Sequence, residues 1–227
     1  MNRVECYIKG CLDLSDPLDH PEELSALDAA RRERIRKYRT PADRKRGFCA
    51  GLMIAEHFSA RGKRAEEITT GPHGRPQIEG LDFNISHAGD YVVMALSDHS
   101  VGCDIERIRD KKTGIAKRFF SEAEAAWIDA SEDPLAAFYR VWTARESYVK
   151  YTGEGISLDF QKYEIRFDDA SREAPLTEGD LREAQYLGSA AVMRDGVRQD
   201  CMVFQWRYDE NYVLSLCCDI AKGVCFA

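Results

Sequence analysis

The sequence lacks the signals that would place it in a membrane or in an oxidising compartment. It has no apolar run of about 18 residues, the length that a membrane-spanning helix needs, and its N-terminal segment is charged and alternating rather than apolar. Its eight cysteines form no CxxC pair, and no histidines stand at zinc-finger spacing. We therefore expect a cytoplasmic protein with reduced thiols and no membrane partner.

The chain also has no net positive charge. The chain has 32 Lys and Arg against 39 Asp and Glu, a net charge of −7, which argues against nucleic-acid binding. The segment 31–46, RRERIRKYRTPADRKR, reverses this balance with nine basic and two acidic residues, and the other 211 residues carry −14. This basic island on an acidic chain indicates a site for a compact anion.

Length and composition point to an ordinary globular protein. The 227 residues, 44% hydrophobic and 31% charged, are enough for one large domain or two small lobes with a real core. Helical and strand patterns alternate in both halves, which predicts an α+β fold of two similar lobes joined near residues 100–110. We place the division between an N-terminal lobe, residues 1–105, and a C-terminal lobe, residues 106–227.

Periodicity and capping signals predict the elements. Helices are expected at 20–39, from Thr40-Pro41 to about residue 60, from the capping box of Ser121 and Glu124, and from Asp133-Pro134 to about residue 151. Strands are expected at 4–12, 83–87, 91–97, 101–108, 161–167, 183–193, 201–208 and 212–218.

Two carboxylates stand two residues apart on the strand predicted at 101–108. Asp104 and Glu106 would project from one face, because side chains alternate along a strand. Two anions that close gain from a shared cation, and an all-oxygen pair suits Mg²⁺ or Mn²⁺ better than zinc. The alternative is a solvated strand edge, which spacing alone favours.

A second set of charged residues lies on the predicted helix that ends near residue 151. Glu146 lies near the border of its apolar stripe, where a half-buried carboxylate needs a partner. Lys150 follows at i+4, so an ordinary helix salt bridge is the simpler interpretation. Arg145 lies equally near the stripe on its other side, and periodicity does not decide which of Arg145 and Glu146 faces a site.

A third candidate is the segment FNISH, residues 83–87. A Ser–His nucleophile is disfavoured because the neighbours Ser86 and His87 face apart on a strand. Anion binding by Ser86, His87 and Arg75 is the better functional hypothesis, and a structural histidine is the alternative.

Together these motifs resemble one family. FNISH, VGCDIE and WTARESYVK occur in this order with FFSEAE between the last two, alongside the basic island and HGRP, and are similar to the signature of the Sfp-type 4′-phosphopantetheinyl transferases. The resemblance implies a pseudo-dimer of two α+β lobes with the active site in the cleft between them. It also implies an enzyme that moves the phosphopantetheine arm of coenzyme A onto a serine of an apo acyl or peptidyl carrier protein and releases adenosine 3′,5′-bisphosphate. A monomer is expected.

The resemblance also implies roles for individual residues. Asp104, Glu106 and Glu146 match magnesium ligands, and Glu146, Lys150 and Asp104 match the catalytic set. The residues that match coenzyme A contacts are Arg31, Arg34, Arg46, Arg75, Ser86, His87 and Lys150. Two positions depart from the family pattern: Gly47 stands where relatives have a phosphate-contacting threonine, and Arg145 replaces the commoner lysine.

Two other functions use the same features. One is a non-catalytic module that binds coenzyme A or a carrier protein, against which the three intact carboxylates argue. The other is a metal-dependent phosphohydrolase built on the same carboxylates.

Overall fold

The computed structural model describes residues 2–110, 119–155, 162–167, 181–182, 184–219 and 224–226. The helices are α1 Pro21–Leu24, α2 Ala29–Lys37, α3 Pro41–Ser59, α4 Glu122–Asp129 and α5 Pro134–Thr152. The strands of the first half are β1 Asn2–Gly10, β2 Thr69–Thr70, β3 Pro76–Gln77, β4 Asp82–Ala88, β5 Tyr91–Ser97 and β6 Val101–Arg107. The remaining strands are β7 Tyr163–Phe167, β8 Gln185–Arg194, β9 Val197–Tyr208, β10 Tyr212–Asp219 and β11 Val224–Phe226.

Local signals in the sequence account for most helix ends. Thr40 caps α3 by accepting a hydrogen bond from the Asp43 N–H, with Pro41 in the first turn, as predicted. The predicted capping box of Ser121 and Glu124 opens α4. The single helix predicted at 20–39 is wrong: it is divided into α1 and α2, because the Asp28 carboxylate accepts the Arg31 N–H and starts a second helix.

The first sheet has the strand order β11-β1-β5-β4, with β11 parallel to β1 and the other pairs antiparallel. Helix α3 covers one face of this sheet. Its buried side chains, among them Met53, Ile54 and Phe58, pack against Val92 and Met94 of β5. The small helices α1 and α2 and the turn between them complete this lobe by packing Leu24, Leu27 and Ile35 on Phe48.

The second sheet is fully antiparallel in the order β6-β10-β9-β8-β7. Helix α5 lies along it, with Ala144, Tyr148 and Val149 in a core shared with β7 to β10. The fold is therefore α+β, as the sequence predicts. The predicted division after residue 105 falls inside β6, which pairs along its length with β10. No helix in the described ranges is long and apolar enough to cross a membrane.

The two sheets meet where their edge strands β4 and β6 run side by side without a backbone ladder. Alternate side chains of β4 instead accept hydrogen bonds from alternate N–H groups of β6. The pairs are Asp82 with Val101 at 2.9 Å, Asn84 with Cys103 at 3.0 Å and Ser86 with Ile105 at 3.4 Å. This arrangement satisfies β6 donors that would otherwise be left without partners at a sheet edge, and it brings β4, β6 and α5 together.

Candidate functional site

A close approach of α5 to β6 builds the site. A Cβ atom at Gly102 would lie 2.1 Å from the Ser147 carbonyl oxygen and 2.4 Å from the Tyr151 nitrogen. Only glycine permits that separation, since real Cβ contacts are never so short. Asp104 and Glu106 follow on the same face of β6. The helix residues Glu146 and Lys150 are thereby brought over them.

Asp104 and Lys150 form the centre of this group. The Lys150 Nζ donates to Asp104 Oδ1 at 2.6 Å, to Ser86 Oγ at 3.0 Å and to the Cys103 carbonyl at 3.1 Å. Burial is the largest single influence on Lys150 and lowers its pKa, but Asp104, Cys103 and Glu146 together raise that pKa above its ordinary value. The ammonium group is therefore held charged against a carboxylate that is only 6% exposed.

The carboxyl group of Glu146 has a raised pKa. Burial, and then the negative charge of Asp104, raise the pKa of Glu146 from 4.5 to about 7, with Glu106 adding to the effect and Lys150 opposing it. Of the three carboxylates, Asp104, Glu106 and Glu146, the first two therefore lie close enough to repel the third. We call the three together the carboxylate cluster.

The cluster has the donor chemistry of a site for a hard divalent cation. Asp104 Oδ2 is buried and has no hydrogen-bond partner, and the mutual repulsion seen at Glu146 is what such a cation would relieve. Among the described residues, no three His, Cys, Asp or Glu side chains are already grouped as a finished metal site. The residues fit Mg²⁺ by chemistry, and the predicted metal ligation stays a prediction.

On the other side of β4 lies a cleft of about 690 Å³. Arg31, Arg34 and His87 line it, above an apolar floor that includes Ile68, Pro76, Phe83 and Ile85. Burial lowers the pKa of Arg31, and the positive charge of Arg34 lowers it further. Burial also lowers the pKa of His87, and the positive charge of Arg46 adds to this effect. Cations gathered this closely favour an anionic ligand.

Strand alternation separates two neighbouring residues of β4. His87 lines the cleft, whereas the Ser86 Oγ donates to Asp104 Oδ1 at 2.7 Å within the carboxylate cluster. Ser86 is not among the described residues that line the cleft. The predicted coenzyme A contacts Ser86 and His87 thus face two different sites.

Two predicted contacts of the ligand, Arg46 and Arg75, are engaged in bonds within the protein. Arg46 donates to the Gly89 carbonyl at 2.9 Å and to Asp43 at 2.5 Å. Arg75 forms an ion pair with Asp82 at 2.7 Å, donates to the Tyr151 carbonyl at 3.0 Å and borders a separate cavity of about 270 Å³. The structure places both beside the cleft rather than in its lining, among the described residues.

The structure accounts for both departures from the family pattern. At Gly47 a Cβ would lie 2.7 Å from the ring of Tyr38, which lines the cleft, so the glycine makes room for that ring. Arg145 is wholly buried, and its guanidinium donates to both carboxylate oxygens of the equally buried Glu124, at 2.9 and 2.5 Å. Arg145 therefore faces away from the cluster, and Glu146 faces it.

Sequence reasoning missed three of these residues. Glu124 was predicted only as part of a helix cap, and nothing local indicated that it would also bind Arg145. Tyr38 packs against a core cluster and also lines the cleft, and no local pattern in the sequence indicates the second contact. A signal was available for Gly102, since a glycine beside two strand carboxylates indicates that something approaches the backbone closely.

Comparison with known proteins identifies the family of the chain. The sequence model of the 4′-phosphopantetheinyl transferase superfamily matches residues 100–217, and the model of the 4′-phosphopantetheinyl transferase N-terminal domain matches residues 18–99. A 4′-phosphopantetheinyl transferase of Bacillus subtilis is 29% identical over 92% of both chains. The 4′-phosphopantetheinyl transferase Sfp of Bacillus subtilis (strain 168) is 25% identical over 88% of this chain and 87% of its own. The 4′-phosphopantetheinyl transferase AcpT of Salmonella typhimurium is 43% identical over 38% of this chain and 50% of its own.

Proposed function

The chain belongs to the 4′-phosphopantetheinyl transferase superfamily, and from that premise we propose that it transfers the 4′-phosphopantetheine arm of coenzyme A to a serine of an apo acyl or peptidyl carrier protein. One observation carries the proposal. The neighbours Ser86 and His87 of β4 face, respectively, the carboxylate cluster and the cationic cleft. A ligand that has a terminal phosphate in the cleft could therefore place its diphosphate at the cluster.

The cleft would bind the nucleotide end of coenzyme A. Arg31 and Arg34 offer charged donors for the 3′-phosphate, and His87 offers a ring nitrogen. The apolar floor suits a purine ring. These contacts hold a part of the substrate that does not react, so they contribute to binding more than to the rate of the chemical step.

Asp104, Glu106 and Glu146 would hold Mg²⁺, with Mn²⁺ as an alternative. When bound, the ion would neutralise charge on the diphosphate and polarise the phosphoryl group. The support is the buried, unpartnered Asp104 Oδ2 and the charge repulsion at Glu146.

The remaining steps fall to the chain's own residues. The carrier serine forms a bond to the β-phosphorus while the bond to the 3′-phospho-AMP oxygen breaks, so negative charge grows on phosphate oxygens. Lys150, whose pKa is raised, stays protonated and can neutralise the leaving adenosine 3′,5′-bisphosphate. Glu146 is the carboxylate that we assign to take the serine proton; its pKa is about 7 in the metal-free protein, and a bound cation would lower it.

The test is mass spectrometry on a panel of apo carrier proteins incubated with the enzyme and coenzyme A. We expect the phosphopantetheine mass increment on carriers with Mg²⁺ or Mn²⁺, and none in EDTA. Glu146→Gln should reduce the rate by at least about 100-fold, because it removes both the ligand and the base. The exposed Glu132→Gln is the matched control and should retain the wild-type rate.

The same reaction mixtures separate the other two functions. Phosphate released from coenzyme A without any carrier would indicate a phosphohydrolase instead. Calorimetric binding of coenzyme A with no product at saturating Mg²⁺, on every carrier of the panel, would indicate a binding module.

A further inference from the structure

The hydroxyl group of Ser86 takes part in several hydrogen bonds at the junction between the two sheets. The Ser86 side chain is buried there, 7% exposed. The Oγ donates to Asp104 Oδ1 at 2.7 Å and accepts from Lys150 Nζ at 3.0 Å, with the Ile105 N–H at 3.4 Å. One hydroxyl of the first sheet therefore links a strand and a helix of the second lobe.

The two carboxylate oxygens of Asp104 differ in their hydrogen bonding. Oδ1 accepts from both Ser86 and Lys150, whereas Oδ2 is buried without a hydrogen-bond partner. Two donors on the same oxygen hold the carboxylate in one rotation about its terminal torsion. A buried oxygen without a hydrogen-bond partner costs roughly 1–3 kcal/mol of stability. The unpartnered Oδ2 of Asp104 therefore indicates an atom that is available to bind a cation.

We propose that Ser86 is a positioning residue for the divalent-cation site, orienting Asp104 so that Oδ2 is presented to the cation, rather than a contact of the nucleotide. The proposal rests on the proposed function only in assigning a cation to the carboxylate cluster. Ser86 lies outside the described lining of the cleft, while His87 lies in it. Groups that orient metal ligands in this way change metal affinity by about 10–100-fold when removed.

The first test measures metal binding directly, without turnover. Titration of Mn²⁺ into the metal-free protein, with free Mn²⁺ followed by electron paramagnetic resonance, should give a Kd about tenfold weaker for Ser86→Ala. Ser86→Thr keeps a hydroxyl and suits a strand, so it should bind within about threefold of wild type. Ser97→Ala, at the end of the neighbouring strand β5, is the matched buried control and should not change the Kd.

The second test separates positioning from nucleotide binding. With saturating Mn²⁺, the KM of Ser86→Ala for coenzyme A should stay within about twofold of wild type if Ser86 acts only through Asp104. Near-UV circular dichroism of each variant checks that the fold is kept. An unchanged Kd for Mn²⁺ in a folded Ser86→Ala protein overturns the proposal. A raised KM with unchanged Mn²⁺ affinity overturns it in favour of a nucleotide contact.

Failure of the proposed function gives a different pattern. If wild-type protein binds Mn²⁺ and Ser86→Ala binds it weakly, but no carrier is modified, the positioning role holds and the transferase activity does not. If wild-type protein binds no Mn²⁺, the cation site and the role of Ser86 are both overturned.

Discussion

At the scale of single residues, two neighbours on one helix have opposite environments. Arg145 is 0% exposed and bound to Glu124, while Glu146 lies near other carboxylates with a pKa of about 7. Both lie close to the edge of the apolar stripe, so their spacing alone could not separate them. Ser86 and His87 are separated in the same way, but there strand alternation predicts the outcome.

The raised pKa of Glu146 has a consequence for stability. In the metal-free protein, folding shifts this pKa from 4.5 to about 7, so the folded state holds a proton that the unfolded state has lost within that range. The contribution of Glu146 to stability therefore falls as pH rises from about 4.5 to about 7, and the penalty persists above it.

We predict that Glu146→Gln raises the melting temperature in EDTA at pH 8 and leaves it unchanged at pH 4. Differential scanning calorimetry at both pH values measures the difference between variant and wild type. Added Mg²⁺ should stabilise the wild type more than the variant at pH 8. A gain in melting temperature that is equal at both pH values would show that the buried charge of Glu146 is not its cause.

At the scale of elements, α5 is placed by contacts on two sides. Gly102 lets the helix backbone approach β6, and the Arg145–Glu124 pair ties it to α4. The pair also reaches β7, because Arg145 donates to the Tyr163 carbonyl at 2.7 Å and Glu124 accepts the Ile165 N–H at 2.8 Å. The helix that carries Glu146 and Lys150 is thus held by a buried network on a different face from the site.

Breaking this network should destabilise the protein strongly. Arg145→Met leaves the Glu124 carboxylate buried without its cation, and we expect a loss of about 3–5 kcal/mol in the free energy of unfolding. Arg166→Met is the matched control, because Arg166 is 59% exposed in its pair with Glu164 and should cost less than about 1 kcal/mol. Urea unfolding of both variants measures the difference, and equal losses would contradict a structural role for the buried pair.

At the scale of the whole molecule, the basic island is divided by the fold. Arg31 and Arg34 line the cleft, while Arg44 pairs with Asp16 at 2.5 Å and Arg46 with Asp43. Its net charge of +7 therefore overstates the charge that a ligand meets. An acidic chain can still bind an anionic substrate because a few cations converge on one cleft.

The division of the island predicts how binding responds to charge. Arg34→Gln should raise the KM for coenzyme A about tenfold, since a lost charged hydrogen bond is worth roughly 1.5 kcal/mol. Arg36→Gln, an exposed neighbour on α2 outside the cleft lining, should change it less than twofold. Wild-type KM should rise with ionic strength and that of Arg34→Gln should rise less steeply. Equal KM values for both variants would place the phosphate elsewhere.

The sequence by itself determined the features that depend on neighbours along the chain. Caps at Thr40 and Ser121, strand faces such as that of Asp104 and Glu106, and the order of the motifs all follow from short-range stereochemistry, and with them the α+β class and the family. The break at Asp28 was missed because a helical pattern continues across it.

Only the tertiary structure decided which residues meet. That Glu146 rather than Arg145 faces the carboxylates, that Ser86 bonds to Lys150 and that Arg75 pairs with Asp82 all depend on how α5, β4 and β6 pack. The physical reason is that periodicity sets the angle of a side chain on its own element, while the partner at that angle comes from a distant part of the chain. The pKa of Glu146 belongs to this second class, because its burial and its neighbouring charges exist only once α5 has packed against β6.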